Sequence, residues 1–316
     1  MLYTGDGNMG HQITGVGFKP DFVWLKGRTG SSFNHILCDS VRGSMSTLFS
    51  NNALQEYTDR GVRSFDDGGF TLSVQQGDEN NTGIPYVAWC WKAGGPAVIN
   101  TEGNITTQVS ANPTAGFSIV KSNGPGTSGH GLNSTPKFII QKSLTAGNWN
   151  VAHHKLYEPG GTGKILLNLT DAIAVSSTTY MHNATATTFD PLFSAEQIAY
   201  VWAEIEGYSK FGSYVGNSST DGPFVYCGFK PAWVLVKNVD TDGSHWVLWD
   251  SSRTPYNEMQ NALRPNSIDP ETSGFQFDFV SNGFKVRDGE LSVSQSGDTF
   301  IFAAFAESPF QTANAK

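Results

Sequence analysis

Hydrophobic positions along this chain fall in short runs separated by Gly-, Asn-, Asp- and Ser-rich stretches, and one run occurs three times. Phe22-Val23-Trp24-Leu25 follows Gly17-Phe18-Lys19-Pro20, and Trp233-Val234-Leu235-Val236 follows Gly228-Phe229-Lys230-Pro231-Ala232. A worn copy, Phe138-Ile139-Ile140, follows Thr135-Pro136-Lys137. Runs this short, rich in β-branched and aromatic residues and bounded by turn formers, predict strands. The first and third lack polar alternation, so they are expected to be central strands covered on both faces, by a second sheet or by a neighbouring copy. The prolines stand at the start of the runs, where a missing N–H is tolerated.

Other segments recur in the same order. An aromatic strand and a glycine turn open each copy: Tyr3 to Gly7, Phe117 to Gly126, and Tyr214 to Asn217. After the repeated run comes a strand ending in charge or histidine, His35 to Arg42, Trp149 to Lys155 and His245 to Arg253. Gly69-Phe70-Thr71-Leu72 matches Gly283-Phe284-Lys285-Val286, and each copy closes on an aromatic strand, Tyr86 to Trp91, Ala199 to Glu204 and Phe302 to Glu307. A repeat of about 100 residues means one folding unit per copy. The expected fold is all-β: three tandem related antiparallel β-sandwich units, jelly-roll or lectin-like, over 1–95, 96–206 and 207–316. The short Gly207–Gly212 link predicts rigid docking, with the units in a row. Helix is expected to be slight, with one turn between Asn257 and Leu263.

Composition narrows the function. Charged residues make up 15% of the chain and the net charge is −8, with no Lys/Arg run, so a nucleic-acid partner is disfavoured. Cys38, Cys90 and Cys227 lack metal-type spacing and sit in apolar runs, as buried thiols do. No leader pattern and no membrane-length apolar stretch is evident, so a soluble protein made in a cytoplasm is expected, without membrane insertion.

Candidate motifs resolve mostly into structure. Gly5-Asp6-Gly7-Asn8-Met9-Gly10 and Gly124-Pro125-Gly126-Thr127-Ser128-Gly129 fit a dinucleotide fingerprint, but no amphipathic helix follows either, and hairpin turns are expected instead. Gly160-Gly161-Thr162-Gly163-Lys164 lacks the Ser or Thr that holds magnesium in a phosphate loop. Asn238, Asp240 and Asp242 open a calcium-like loop, but its twelfth position is Trp249, so they are weak metal candidates beside a polar hairpin turn. His153 and His154, adjacent on a strand, are expected on opposite faces and so unable to share a metal. The pairs Asp39/Arg42 and Asp250/Arg253 recur at equal spacing and read as ion pairs pinning strand ends. No nucleophile elbow or Cys–His constellation emerges, so no catalytic residue and no cofactor is expected. The tryptophans are expected in the core, with any exposed aromatic available for sugar faces or partner subunits.

The segment Glu204 to Asn217, followed by Asp221-Gly222-Pro223-Phe224-Val225-Tyr226 and Gly228 to Val234, carries a resemblance. Together with Ser281-Asn282-Gly283-Phe284-Lys285 and Ala304 to Phe310, it resembles repeat-containing, tail-fibre-like virion proteins of tailed, mostly marine, bacteriophages. The resemblance implies a non-enzymatic virion structural protein, a tail or fibre component that contributes to host-surface glycan recognition. Partners are then other virion subunits, a symmetric homo-oligomer and surface glycans, and the location is the virion. A capsid decoration, head-fibre or tail adaptor protein is the first alternative, and a glycan-degrading tail enzyme the second.

Overall fold

Alternation inside the uninterrupted apolar runs divides their side chains between two different cores. The computed structural model describes residues 1–30, 32–73, 77–156, 163–175 and 184–307. The first unit holds β1 (Leu2–Thr4), β2 (Gln12–Thr14), β3 (Phe22–Gly27), β4 (Ile36–Asp39), β5 (Leu48–Phe49), β6 (Val62–Asp66), β7 (Gly69–Leu72) and β8 (Pro85–Trp91). The second holds β9 (Val98–Asn100), β10 (Thr107–Asn112), β11 (Phe117–Asn123), β12 (Ser128–Gly129), β13 (Phe138–Ser143) and β14 (Asn150–His153). It continues through β15 (Gly163–Leu166), β16 (Ala174–Val175), β17 (Thr188–Phe189) and β18 (Glu196–Trp202). The third comprises β19 (Ser209–Val215), β20 (Phe224–Tyr226), β21 (Pro231–Asn238), β22 (Trp246–Asp250), β23 (Phe277–Val280), β24 (Gly283–Val286), the short helix α1 (Leu291–Ser294) and β25 (Thr299–Ala306).

All pairing between these strands is antiparallel, and one topology repeats. The large sheet runs β1-β8-β3-β4 in the first unit, β11-β18-β13-β14 in the second and β19-β25-β21-β22 in the third, with extra edge strands on the first two. A small sheet, β2-β7-β6 or β20-β24-β23, covers one face in the outer units, and β12-β17 stands in its place in the second. The repeated Gly-Phe pair has a steric cause here. A Cβ on Gly69 would lie 1.9 Å from the Ile13 carbonyl oxygen, and one on Gly283 2.0 Å from that of Val225. Only glycine lets the neighbouring strand approach this closely.

Between the sheets of the first unit lies a private core that includes Val23, Leu25, Ile36, Cys38 and Phe70. Its counterparts hold Val234, Val236, Val247 and Phe284 in the third unit and Ile139, Ala152, Phe189 and Val201 in the second. The intervening residues turn the other way, into one core shared by all three units. At one level Phe22 pairs with Trp91, Phe138 with Trp202, and Trp233 with Phe305. The closing residues of the three sheets form a triad, with ring centroids 6.2 Å apart for Trp91–Trp202, 5.7 Å for Trp91–Phe305 and 6.3 Å for Trp202–Phe305. Two residues along each central strand stand Trp24, Ile140 and Leu235, and two further along stand Lys26, Lys142 and Lys237. The units therefore surround a common core, where a row was expected. A sheet with apolar residues on both faces needs two covers, and the sister units supply the second.

The lysines at the third level are fully buried. Their ammonium groups donate to main-chain carbonyls: Lys26 to Phe33 and Ile268 at 2.7 and 3.0 Å, Lys237 to Ser244 and Thr170 at 3.0 and 3.4 Å, and Lys142 to Ser143 and Thr145 at 2.5 and 2.7 Å. Burial pushes each of them down to about 8. Ile268 lies in the third unit and Thr170 in the second, so two of these lysines also fasten a neighbour.

Two sequence expectations change. The glycine-rich stretches after β1 and β11 connect strands of different sheets, so they are crossings between layers and not hairpin turns. Asn257 to Leu263 holds no helical turn; Met259 bridges to Phe277 and Ala262 to Thr272 instead, as the segment lies against the third unit's small sheet.

Candidate binding groove between the second and third units

The side chains with most chemical potential are committed to joining units. Asp39 accepts from the Arg42 guanidinium and, at 2.9 Å, from the Tyr200 hydroxyl of the second unit. Arg42 also reaches Glu56 at 3.1 Å and the Leu37 carbonyl at 2.9 Å. Asp250 repeats this pattern in the third unit, accepting from Arg253 and, at 3.0 Å, from the Trp89 indole of the first. Arg253 reaches Glu271 and the Leu248 carbonyl at 2.9 and 3.0 Å. The ion pairs read from spacing are present at both strand ends, and each also anchors a neighbouring unit.

His153 occupies the same place in the second unit, and its Nε2 lies 3.1 Å from the Phe302 carbonyl of the third. His154 Nε2 lies 2.8 Å from the Phe211 carbonyl, and the two imidazole centroids are 5.2 Å apart. The expectation of opposite faces fails because β14 ends at His153 and a 3₁₀ turn starts at His154, which cancels strand alternation. Burial pushes His153 down to about 3.

The calcium-like loop is a hairpin turn between β21 and β22 whose oxygens serve the fold. Asn238 accepts from the amides of Asp240 and Thr241 and donates to Asp298; Asp240 accepts from the Thr299 amide and Asp242 from the Ala172 amide. No group of three or more His, Cys, Asp or Glu residues is placed to hold a metal among the described residues. Gly160–Thr162 of the phosphate-loop candidate lie outside the described residues. Glu204 and Glu307, the equivalent closing glutamates, pair with Lys210 at 2.8 Å and Lys230 at 2.9 Å. Cys38 and Cys227 are buried free thiols, and Cys90 is a partly buried one packed against the first unit's core.

The tryptophans Trp89, Trp91, Trp149, Trp202, Trp233, Trp246 and Trp249 are all buried. The exposed aromatics are elsewhere, and two stand side by side on β20: Phe224 is 50% exposed and Tyr226 64%. Strand alternation turns Val225 into the third unit's core and both rings outward. The equivalent strand β2 makes the same alternation with Gln12 and Thr14 outward around buried Ile13. The fold therefore does not require aromatic residues at these positions. Sequence reading passed over the pair, although aligning Phe224-Val225-Tyr226 with Gln12-Ile13-Thr14 exposes the difference.

The two rings border a cleft of about 430 Å³ between the second and third units. Lys137, His154 and Lys155 line its second-unit wall, and Phe224, Tyr226 and Ser213 its third-unit wall. A neighbouring cleft of about 690 Å³ shares Glu204, Lys210 and Tyr226 and adds Glu206, Ser209 and Gly228. At the junction Glu204 accepts from Lys210 and, at 3.1 Å, from the Phe211 amide, which fixes its carboxylate. The result is an open groove with an aromatic face on one side and fixed charged groups on the other. No helix among the described residues is long and apolar enough to cross a membrane.

No curated protein and no solved structure matches this chain. Its sequence matches a single family model from residue 1 to residue 309, across all three units, and the chain thus belongs to the family of the domain of unknown function DUF7483.

Proposed function

We propose that the chain is a non-enzymatic structural subunit of a tailed-bacteriophage particle, a tail or fibre component, and that the groove between its second and third units binds host-surface glycans. The observation that carries the carbohydrate reading is the exposed Phe224–Tyr226 pair beside the Glu204–Lys210 pair. Sugar rings have apolar C–H faces and polar rims; the rings of Phe224 and Tyr226 suit the faces, and the fixed carboxylate and ammonium suit the hydroxyls. The carboxylates and histidines that would serve an enzyme are bonded across unit boundaries instead, which supports a scaffold role. Affinity per site is weak in such open grooves, and many copies in one particle multiply it.

Titration of bacterial surface polysaccharides and their oligosaccharides against the purified chain tests the binding. Saturable binding that the double substitution Phe224→Ala/Tyr226→Ala abolishes is expected. Binding unchanged in that variant rejects the groove. Cryo-electron microscopy of intact particles tests the virion assignment.

A further inference from the structure

Equivalent positions of the three units carry different charge where one unit meets the next. Asp39, His153 and Asp250 stand opposite the first core residues of their central strands, Phe22, Phe138 and Trp233. Each of the three bonds to another unit, at Tyr200, Phe302 and Trp89 respectively. The residue just ahead on the central strand is Asp21, Lys137 or Ala232, and the residue two places beyond on the opposite strand is Val41, Lys155 or Ser252. Asp21 holds the link after the first unit, accepting from the amides of Ala93 and Gly95 at 2.8 and 3.3 Å. Ala232 and Ser252 carry no charge. Sister units thus fold with an acid or with no charge at these places, and the fold does not require Lys137 and Lys155.

Both lysines line the cleft of about 430 Å³ between the second and third units. The His154 amide donates to the Lys137 carbonyl at 2.9 Å, which keeps both lysines at one end of the β13–β14 pair. Among the described residues that line this cleft, Lys137, Lys155 and Lys210 stand against one carboxylate, Glu204, which already pairs with Lys210. In a chain of net charge −8 this is a local reversal of sign. The neighbouring cleft has the opposite balance, Glu204 and Glu206 with Lys210. The exposed aromatic pair joins the two, since Phe224 lines the first cleft and Tyr226 lines both. A cleft walled by protein focuses the field of such charges on what it binds.

We propose that the groove selects acidic saccharides, and that the sugar stacked on Phe224 carries its oxyanion, a carboxylate or a phosphate, against Lys137 and Lys155. This rests on the glycan reading of the same groove and narrows it. The opposite balance of the two clefts also orients the ligand. The anionic unit lies in the lysine-lined cleft, and a neutral, hydroxyl-rich unit continues over Tyr226 toward Glu206, where a second negative group meets like charge.

The test titrates the full chain with two acidic probes and their neutral counterparts. One pair is hyaluronan oligosaccharides, in which a hexuronate alternates with a neutral sugar, and their carboxyl-reduced form; the other is phosphomannan and unphosphorylated mannan. At least one acidic probe is expected to bind about tenfold or more tightly than its neutral counterpart at low salt, with the preference largely lost at about 0.5 M salt. Which acidic probe binds identifies the oxyanion. Lys137→Gln/Lys155→Gln is expected to weaken the acidic probe at least about fivefold, with Lys137→Gln alone moving it in the same direction. Neutral-probe affinity and Tm are expected to stay unchanged, whereas lysines that served only the fold would lower Tm. Equal affinity for acidic and neutral forms, binding of neutral probes alone, or a preference that the double variant keeps overturns the proposal and leaves the glycan reading standing. Binding of none of these probes and of no bacterial surface polysaccharide overturns both.

Discussion

The seam between the second and third units and the seam between the third and first are built from equivalent strands, yet one is sealed by Phe211 and the other holds a cavity among the described residues. In the sealed seam β19 is seven residues long and carries Phe211 into the shared core. In the other seam β1 pairs with β8 from Leu2 opposite Val87, and a cavity of about 450 Å³ lined by Trp89, Trp91, Trp233 and Phe305 lies at the matching place among the described residues. The strands behind both seams align closely, so the difference is confined to a few residues at one sheet edge. Repetition specifies each unit's interior, whereas the seams differ in which residues line them.

The sharpest way to break this comparison is to open the sealed seam. Phe211→Ala is expected to cost about 3–5 kcal/mol, because it leaves in one seam the cavity that already exists in the other. Chemical denaturation is expected to show one transition at lower denaturant concentration; two transitions would mean that the units fold independently of the shared core. Arg253→Met comes next. It strands buried Asp250, to which only Trp89 and backbone amides then donate, and a loss of about 3 kcal/mol is expected in the same measurement. Removing Lys121 from its pair with exposed Glu196 is expected to cost less than about 1 kcal/mol.

Titration gives a smaller effect with a defined sign. Lys26, Lys142 and Lys237 titrate near 8 when folded, against about 10.4 when unfolded. Between those values the unfolded chain binds more protons, so these groups make stability rise with pH from about 8 toward 10. Above that range buried Tyr3, Tyr200 and Tyr214, all raised by burial, ionise first in the unfolded chain and reverse the trend. On the acid side His153, near 3 when folded, makes stability fall as pH drops below about 6.5. Melting curves across pH 5 to 10, with Lys26→Met and Lys237→Met flattening the alkaline rise, check the assignment.

The smallest expected change in stability carries the most functional information. Phe224→Ala and Tyr226→Ala are expected to shift stability by no more than about 0.5 kcal/mol, because both rings face solvent. The reciprocal substitutions Gln12→Phe and Thr14→Tyr are expected to leave the melting temperature unchanged and to place an equivalent aromatic face on the first unit. Circular dichroism melts and glycan titration separate the two readouts.

Much of the fold was legible in the residues. The runs after Pro20 and Pro231 are central strands, Gly69–Leu72 and Gly283–Val286 are matching strands, and Asp39/Arg42 and Asp250/Arg253 are ion pairs. These follow from strand period, steric size and charge, which act over a few neighbouring positions. The groove between the second and third units was not legible. Tyr226 and Lys210 are joined to Lys137 and His154 only where one unit meets the next, and an exposed aromatic on a strand looks the same in sequence as a buried one.

The sequence by itself determined that the chain is β-rich, that one pattern is written three times, and that the runs after Pro20 and Pro231 are central strands. Only the tertiary structure decided that the second face of those strands is covered by sister units and that Trp91, Trp202 and Phe305 meet. The physical reason is range. Periodicity and steric demand are properties of adjacent residues, whereas a shared core arises from contacts between residues as distant in the chain as Trp91 and Phe305.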